Sequence, residues 1–416
     1  MSGLERYRAL LRVPHAKALV GWSLLGRVPL GMTPFALLLL VRGEGEGYGA
    51  AGVVVAVYSI ALGLGAPIRG RRVDRRGPGS VLRYGAVGYA ALLGLVVVLA
   101  AVDAGTVPIA VVAALAGFVL PPVSATVRVV WPRLAPGDLR TTAYAFEASV
   151  QELFFVVGPL LAAALAAIDP LVAVAGAALA CLVGTLATAR LAPVRDTPPS
   201  RASSAGVLGA LASPGVRTIV LYAALVGLGF GACELAMPAF AEEHGARELG
   251  GIALGCFAAG SLVGGFVSGL RPIGNDLRRF IVGAVGVAAG LLALQLAVSL
   301  PTLALLSFVA GLPIAPTVAA LYTMIDRSAR AGTAAEAFAW FGTAISVGYA
   351  LGAAVAGVVV EERGVRWAFG VGAAIALLGA GVGWLRRGTL AAVHAPGDAV
   401  PSLASARSSG DRAADF

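Results

Sequence analysis

Six charged residues fall inside stretches of the sequence that are otherwise apolar, and these six are the candidates for chemistry. They are Arg27, Arg128, Glu147, Glu152, Glu234 and Glu336. An ionised side chain inside a bilayer costs on the order of 3 kcal/mol, so such residues pair with one another or line a path. A carboxylate in that setting can exchange a proton when its surroundings change. The six residues therefore indicate ion pairs, a proton pathway or a site for a charged compound.

Position along each helix predicts two ion pairs among these charges. At about 1.5 Å of rise per residue, Arg27 and Glu152 lie at similar depths. Arg128 and Glu147 lie close to the same membrane surface. Glu147 and Gln151 stand i, i+4 and form a polar stripe on one helix face. For Glu152 two interpretations stay open: a carboxylate that carries protons between conformations, or a static partner of Arg27 that locks two helices together.

The two remaining carboxylates lie toward the ends of apolar stretches. Glu234 lies in the outer part of the seventh stretch, where it binds a proton or a cationic substrate, or simply reaches the external surface. Glu336 opens the eleventh stretch, where an acid complements the helix dipole. We expect Glu336 to cap its helix or to contact an arginine at a gate, rather than to bind substrate.

The composition places these charges in a membrane protein. Of 416 residues, 58% are hydrophobic and 13% are charged, whereas a soluble domain carries about 25% charged residues. Water-soluble enzymes and nucleic-acid-binding proteins are therefore excluded, and the lipid bilayer is the first partner. Since a spanning helix takes about 20 residues, the apolar stretches predict twelve transmembrane helices. They lie near 18–41, 48–68, 84–103, 107–131, 142–168, 170–190, 217–240, 249–270, 280–300, 302–325, 335–360 and 366–385.

A break in composition divides these helices into two sets of six. The break is rich in Pro, Ser and Arg and predicts a linker. The predicted domains are a cytoplasmic N-terminus 1–17, an N-terminal bundle 18–192, a cytoplasmic linker 193–216, a C-terminal bundle 217–388 and a disordered cytoplasmic tail 389–416. A weak internal repeat places Pro34 on Pro238 at an offset of 204, and another places Gly70 on Gly269 at an offset of 199. The predicted fold class is an all-α polytopic membrane protein with two pseudo-symmetric six-helix bundles.

Charge and cysteine placement predict the topology and argue against bound metals. Most of the 31 Lys and Arg residues fall in loops on the side of the N-terminus. Because cytoplasmic loops are rich in positive charge, we expect both termini in the cytoplasm and the protein in the cytoplasmic membrane of a bacterium. Cys181, Cys233 and Cys256 lie in apolar stretches without CxxC spacing. We therefore expect no disulfide, metal or other cofactor.

Prolines and glycine pairs mark places where helices bend or cross closely. Proline frees a carbonyl and bends a helix, and glycines four residues apart permit close crossing. The prolines inside predicted helices one, four, seven and ten are Pro34, Pro122, Pro238 and Pro316. The glycine pairs are Gly227/Gly231, Gly260/Gly264, Gly265/Gly269 and Gly348/Gly352.

The loop after the second predicted helix carries a family motif. It reads Gly70-Arg71-Arg72-Val73-Asp74-Arg75-Arg76-Gly77, which resembles the signature loop of the major facilitator superfamily at the position that family requires. Gly70 and Gly77 permit a tight turn. Asp74 can face a helix N-terminus or a base across the interface between halves, and Arg75 holds the loop in the cytoplasm. We assign this loop, with Glu336 and Arg128, to gating.

Two further motifs match the superfamily less completely. Gly158-Pro159 in the fifth predicted helix resembles the core of the motif that proton-driven antiporters of this superfamily carry, with Ala162 and Ala163 in place of the flanking glycines. The counterpart of the signature loop in the C-terminal half is reduced to Gly269-Leu270-Arg271-Pro272.

The resemblance implies a monomeric secondary transporter that works by alternating access. Resemblance to the export branch implies that it exports a small organic compound in exchange for protons. One alternative is a facilitator or importer without proton coupling, in which the ion pairs are structural. Another class of protein, a polytopic membrane enzyme or a non-transporting sensor, is the second alternative. An enzyme would need a reactive cluster of side chains, and the predicted helices contain none.

Overall fold

The computed structural model describes residues 3–43, 48–135, 137–199, 209–246, 250–270 and 275–391. Every regular element among them is helical. The N-terminal half contains α1 (Gly3–Arg12), α2 (Ala16–Arg27), α3 (Pro29–Gly43), α4 (Tyr48–Arg76), α5 (Pro78–Ala101), α6 (Thr106–Val119), α7 (Val123–Leu134), α8 (Asp138–Ala166), α9 (Pro170–Arg190) and α10 (Ala192–Arg195). The C-terminal half contains α11 (Pro214–Glu243), α12 (Gly250–Leu270), α13 (Asp276–Ala293), α14 (Leu300–Gly311), α15 (Ile314–Ser328), α16 (Ala334–Arg363), α17 (Val365–Leu385) and α18 (Arg387–Ala391).

Eleven helical stretches of the described residues are long and apolar enough to cross a membrane. Three of them join two α-helices each: α2 with α3, α6 with α7, and α14 with α15. The remaining predicted span is α8, which has 29 residues but a shorter apolar stretch at Val157–Ala166. Its first half carries the polar residues Glu147 and Gln151. The long helices thus follow the predicted order, and the predicted fold class is confirmed.

The two halves repeat the same set of helix contacts. In the N-terminal half α3 packs on α8, α4 on α6, and α5 on α9. In the C-terminal half the corresponding helices pack in the same way: α11 on α16, α12 on α14, and α13 on α17. This correspondence is the pseudo-symmetry that the internal repeat predicts.

Two lines of contact join the halves. Along the first seam, α4 of the N-terminal half packs on α16 of the C-terminal half. Along the second seam, α8 packs on α12 and α15. Each seam therefore places one long helix of the N-terminal half against one or two helices of the C-terminal half.

The described ends of the chain lie at one end of the bundle, which we call the terminal face. Tyr7 of α1 contacts Phe266 near the end of α12, and Thr389 of α18 contacts Thr218 near the start of α11. Because successive spans run in opposite directions, the α4–α5, α7–α8 and α15–α16 junctions lie on this face. The α5–α6 and α8–α9 junctions lie on the opposite side, which we call the distal face.

Three spans are interrupted near a proline. The first breaks at Val28 ahead of Pro29, the fourth at Leu120–Pro122 and the tenth at Leu312–Pro313. Proline at the start of a helical segment needs no hydrogen-bond donor, which makes it a suitable residue at a break. The helices α3 and α11 continue without interruption through Pro34 and Pro238. Bending at these two prolines stays a prediction.

A buried arginine satisfies the break in the fourth span. The Arg69 guanidinium donates to the carbonyl oxygen of Gly117 at 3.1 Å, to that of Leu62 at 3.0 Å and to that of Phe118. These carbonyls include two at the end of α6, which would otherwise lack partners in a bilayer. Arg69 lies seven residues before the end of α4, beyond the predicted apolar stretch 48–68, and sequence analysis missed it as an intramembrane charge.

Parts of the predicted domain plan fall outside the described residues, namely 200–208 of the linker and 392–416 of the tail. The described part of the linker includes α10 and a 3-10 turn at Gly209–Ala212. A Cβ atom at Gly209 would clash with the side chains of Arg71 and Glu336. The linker therefore packs on residues from both halves.

Candidate functional site

Arg27 and Glu147 form an ion pair inside the N-terminal half. Arg27 Nη1 lies 2.6 Å from Glu147 Oε2, and Nη2 lies 3.3 Å from Oε1. Their side chains are 2% and 0% exposed. Trp131 Nε1 donates to Glu147 Oε1 at 3.1 Å, and Arg27 Nη2 donates to Ser23 Oγ at 2.7 Å. Both charges are therefore paired and hydrogen-bonded, as a buried ion pair requires.

The elements that hold this pair include a helix break. Arg27 is the last residue of α2, and the break at Val28 follows it directly. Glu147 comes from α8 and Trp131 from α7. The guanidinium of Arg27 also lies 5.3 Å from the ring of Phe154 on α8. The ion pair thus ties the broken first span to the fourth and fifth spans.

The predicted partners of these two charges are wrong. Glu147 pairs with Arg27 and not with Arg128. Glu152 lies on α8, but its side chain falls outside the described part of the structure. Rise along the helix gives depth only, whereas pairing also depends on the direction in which each side chain leaves its helix. Glu147 leaves α8 toward α2 and α7, which the sequence alone did not show.

Arg128 belongs instead to a cluster between the halves. It donates to Gln151 Oε1, and its guanidinium lies 4.1 Å from the ring centroid of Tyr322 and 5.9 Å from that of Phe338. Tyr322 donates to the same Gln151 oxygen at 2.9 Å. Arg128 and Gln151 come from the N-terminal half, and the two aromatic residues come from the C-terminal half. Tyr144 supports the cluster by donating to the carbonyl oxygen of Arg128 at 3.3 Å.

Glu234 lies apart from these groups, on α11 toward the distal face. Tyr349 of α16 donates to Glu234 Oε2 at 3.2 Å, and this contact is exposed. One turn earlier on α11, Phe230 packs on Phe257 of α12, and Gly231 packs on Tyr349. Glu234 therefore faces the sector between α12 and α16. Since those two helices contact the N-terminal half, this sector faces the space between the halves.

The first seam is closed by the signature loop. Asp74 accepts hydrogen bonds from the backbone N–H groups of Ala335 at 3.1 Å and Glu336 at 2.9 Å. These groups lie in the first turn of α16, where a carboxylate also complements the helix dipole. Arg71 Nη2 lies 2.7 Å from Glu336 Oε1. A Cβ atom at Gly70 would lie 2.6 Å from the carbonyl oxygen of Ala335, so only glycine permits this approach.

The other residues of the loop have separate roles. Arg75 is exposed near the end of α4, and Arg71 rather than Arg75 is the base that meets Glu336. Gly77 precedes α5 with a positive φ of 77°, and it faces the carbonyl oxygen of Thr197 in the linker. The pattern of the motif could not single out Arg71, because four arginines lie between its two glycines.

The second seam is held by different side chains. Arg140 at the start of α8 pairs with Asp326 of α15 at 3.1 Å. Deeper in the seam, Ser149 of α8 fits against Gly265 of α12. The polar contacts that we describe between the halves, including Thr343 Oγ1 to the Gly63 carbonyl oxygen at 2.9 Å on the first seam, lie between the terminal face and the middle of the spans. The halves are thus joined at the terminal face.

Gly158 and Pro159 lie where α8 crosses α3. A Cβ atom at Gly158 would lie 2.6 Å from the carbonyl carbon of Gly31 and the nitrogen of Met32. The helix α8 continues through Pro159. The motif therefore provides a close helix crossing within the N-terminal half. Within the described ranges, no group of three or more His, Cys, Asp or Glu residues could hold a metal ion.

Two matching six-helix halves that meet at one face and enclose charged residues define a polytopic membrane protein of the transporter type. The sequence profile of the Major Facilitator Superfamily matches residues 28–276 and 273–407. The chain belongs to this superfamily. A search among curated proteins finds no match.

Solved transporter structures share this fold. The human organic anion transporter MFSD10 (TETRAN) is 17% identical, with a TM-score of 0.68, over 89% of this chain and 99% of that chain. A bacterial homologue of the iron transporter ferroportin in its outward-facing state is 15% identical, with a TM-score of 0.71, over the same shares of the two chains. The homologue soaked with iron is 16% identical, with a TM-score of 0.68, over 89% of this chain and 98% of that chain. At these identities the similarity establishes the fold, and the family and its relatives indicate membrane transport.

Proposed function

We propose that this chain is a proton-coupled exporter of a small organic compound. It resides as a monomer in the cytoplasmic membrane of a bacterium, with both termini and the terminal face in the cytoplasm. The excess of Lys and Arg in loops of the terminal face supports this orientation. In this orientation the polar contacts between the halves lie on the cytoplasmic side of the membrane, as an outward-facing conformation requires. Rocking of the halves about the two seams then opens the terminal face to the cytoplasm.

The observation that supports proton coupling is the burial of Glu147. It lies next to the cluster of Arg128, Gln151 and Tyr322 between the halves. Its side chain is 0% exposed in this conformation. Gln151 lies one turn further along α8 and bonds both Arg128 and Tyr322. Opening of the terminal face separates Tyr322 from Gln151 and brings water to the face of α8 that carries Glu147. The carboxylate then exchanges protons with water on the terminal side in the open conformation, whereas it is closed off from water in the conformation with the terminal face closed.

Protonation of Glu147 also changes the packing at a helix break. A neutral carboxyl leaves the buried Arg27 without its counter-ion, and this state is costly unless the site rearranges. Arg27 ends α2 at the break in the first span, where a rearrangement can change the angle between α2 and α3. The proton and the conformation are thereby linked, as exchange transport requires.

The evidence for a substrate class is a single carboxylate, Glu234. The similar proteins described above are an organic anion transporter and a bacterial homologue of an iron transporter, so they do not agree on a substrate. Glu234 offers a carboxylate toward the space between the halves on the distal side, and a carboxylate binds a cationic group. We therefore propose an organic cation as the first class to test.

The alternative is a facilitator or importer in which the ion pairs are structural. Glu147 accepts hydrogen bonds from both Arg27 and Trp131, which is also what a static pair would show. A test that needs no substrate separates the two. Spin labels at Arg190 and Arg330, both exposed on the terminal face of opposite halves, report the separation of the halves by double electron–electron resonance. The natural cysteines Cys181, Cys233 and Cys256 are first replaced by alanine.

For a proton-coupled exporter, the label separation changes between pH 5.5 and pH 8.5, and Glu147→Gln abolishes the change. The control Glu361→Gln, at an exposed carboxylate of the distal face, keeps it. A pH response that persists in Glu147→Gln removes Glu147 from the proton pathway. No response in the unmodified protein favours the facilitator. Uptake of ethidium into energised everted vesicles then tests export of an organic cation, with p-aminohippurate as the anionic comparison.

A further inference from the structure

The N-terminal helix α1 lies across the second seam. It packs on α8 of the N-terminal half and on α12 of the C-terminal half. The Tyr7 ring stacks on Phe266 of α12, with centroids 5.0 Å apart and planes 11° apart. The same ring meets Phe146 of α8 edge-on at 6.5 Å, and its hydroxyl donates to the carbonyl oxygen of Phe266 at 3.2 Å. One side chain of α1 therefore contacts both halves at their junction.

Tyr7 lies at a place where the two halves differ, beside the counterpart of the signature-loop glycine Gly70. Gly70 of the signature loop meets the backbone of Ala335 at the first seam. Its counterpart by the internal repeat is Gly269 at the second seam, where a Cβ atom would clash with the Tyr7 hydroxyl. The sequence after Gly269 lacks the acid that follows Gly70, and residues 271–274 lie outside the described residues. The same glycine position thus receives a side chain of α1 instead of a helix N-terminus.

We propose that α1 is a latch between the halves, which holds the second seam closed at the terminal face where the reduced signature loop cannot. The proposal rests on alternating access and not on the substrate or on protons. Tyr7 leaves Phe266 when the terminal face opens, and it returns when that face closes.

The side chains of α1 suit a latch better than a helix that only rests on the membrane surface. Tyr7 is 8% exposed and Leu10 is 0% exposed, whereas Arg8 and Arg12 on the other side are exposed. An aromatic residue at a lipid interface would keep its hydroxyl in water. Burial raises the pKa of Tyr7 to about 12, so the hydroxyl remains a neutral donor at physiological pH.

The test uses the spin labels at Arg190 and Arg330 in the full chain. We expect Tyr7→Ala to raise the population with separated terminal faces about tenfold, and Tyr7→Phe about threefold, because the first loses ring contacts and a hydrogen bond while the second loses the hydrogen bond alone. Tyr84→Ala, at a tyrosine that is 81% exposed on α5, is the matched control and leaves the population unchanged.

A variant on the opposite side of the contact keeps the test decisive if Tyr7→Ala disturbs folding. Gly269→Ala pushes against the Tyr7 hydroxyl, whose ring is held by Phe266, and it raises the separated population as well. In the double variant Tyr7→Ala/Gly269→Ala the two effects are not additive, because both act through one contact. Additive effects, or an unchanged population in all three variants, overturn the latch.

The first seam separates failure of the latch from failure of the proposed function. If Asp74→Asn raises the separated population and the Tyr7 variants do not, the halves rock but α1 is not a latch. If none of these variants changes the label separation, alternating access about the two seams is itself wrong. Circular dichroism and the thermal unfolding midpoint of each variant identify any that fail to fold.

Discussion

The contact between the first and fifth membrane spans differs between the two halves. These spans are α2–α3 and α8 in the N-terminal half, and α11 and α16 in the C-terminal half. In the N-terminal half the junction contains the buried Arg27–Glu147 ion pair next to a helix break. At the offset of 204, Arg27 corresponds to Gly231 of α11, and there the junction is a ridge of glycines. Cβ atoms at four positions would clash with backbone carbonyls of the facing helix. The four positions are Gly227, Gly231, Gly348 and Gly352.

The difference assigns separate mechanical roles to the halves. A helix crossing through glycines brings two backbones into contact, and it permits no change of register without a clash. An ion pair beside a break depends on the charge of one carboxylate, so its geometry can change with protonation. We infer that α11 and α16 move as one rigid unit. In the N-terminal half α8 also crosses α3 closely at Gly158, so the adjustable part of that junction is the segment that contains Arg27 and Glu147.

The largest effect that tests this comparison is expected at Glu147. Glu147→Ala leaves Arg27 buried without a counter-ion, and we expect it to lower the free energy of unfolding by about 3–5 kcal/mol. Thermal unfolding of the protein in detergent measures this loss. The double variant Arg27→Met/Glu147→Leu removes both charges and should recover most of the stability, yet it should have no pH-dependent label separation. Equal instability of the single and double variants would contradict the role of the pair.

A smaller loss is expected at the glycine ridge. Gly231→Ala places a methyl group against the carbonyl oxygen of Tyr349, and we expect it to lower stability by about 1–3 kcal/mol. The matched control is Gly342→Ala on α16, where a Cβ atom meets nothing within 4 Å. There the substitution should leave stability unchanged or raise it by up to about 1 kcal/mol, because alanine favours a helix. Similar unfolding midpoints for both variants would show that the ridge is not tightly packed.

The two seams at the terminal face can be compared in the same way as the two helix junctions inside the halves. Asp74→Asn weakens two hydrogen bonds to the start of α16, and bonds to a charged acceptor are worth about 1.5–3 kcal/mol. We expect the separated population to rise about tenfold or more at the first seam. The measurement is the Arg190 to Arg330 label separation. An unchanged label separation in this variant would show that the signature loop does not hold the first seam closed.

The smallest effect is expected at the ion pair of the second seam. Arg140 and Asp326 are 33% and 16% exposed, and a pair so open to solvent contributes about 1 kcal/mol or less. Arg140→Gln should therefore change the separated population by less than about fivefold, and high salt should reduce its effect. An effect as large as that of Asp74→Asn would show that the two seams are equivalent.

The fold could be predicted from the sequence because apolar stretches and charged loops follow directly from the bilayer. The glycine pairs and the signature loop were also informative, since glycine permits a backbone approach that other residues do not. Pairing of the charges was not predictable in the same way. Arg27 and Glu147 meet because of the direction in which each helix faces, and depth along a helix does not contain this information.

Two residues with structural roles, Arg69 and Tyr7, were not predicted from the sequence, and the reason can be given for each. Arg69 follows the apolar stretch of its helix, so it looked like one more basic residue of the loop, although α4 continues through it. Tyr7 lies before the first span, in a segment that composition described only as a cytoplasmic terminus. The amphipathic pattern of α1, with Tyr7 and Leu10 three residues apart on one side, was the signal that could have identified it.

The arginine at the break in the fourth span has a consequence for biosynthesis. Arg69 precedes the carbonyl of Gly117 by 48 residues, so the donor leaves the ribosome before its two acceptors on α6, the carbonyl oxygens of Gly117 and Phe118. When the fourth span enters the bilayer, the guanidinium that satisfies its broken backbone is already in place in the second span. Insertion in chain order therefore makes a donor available to these carbonyls when they enter the bilayer, which lowers the cost of unsatisfied polar groups during assembly. A chain with α4 and α6 in reversed order would lose that protection even if its final fold were the same.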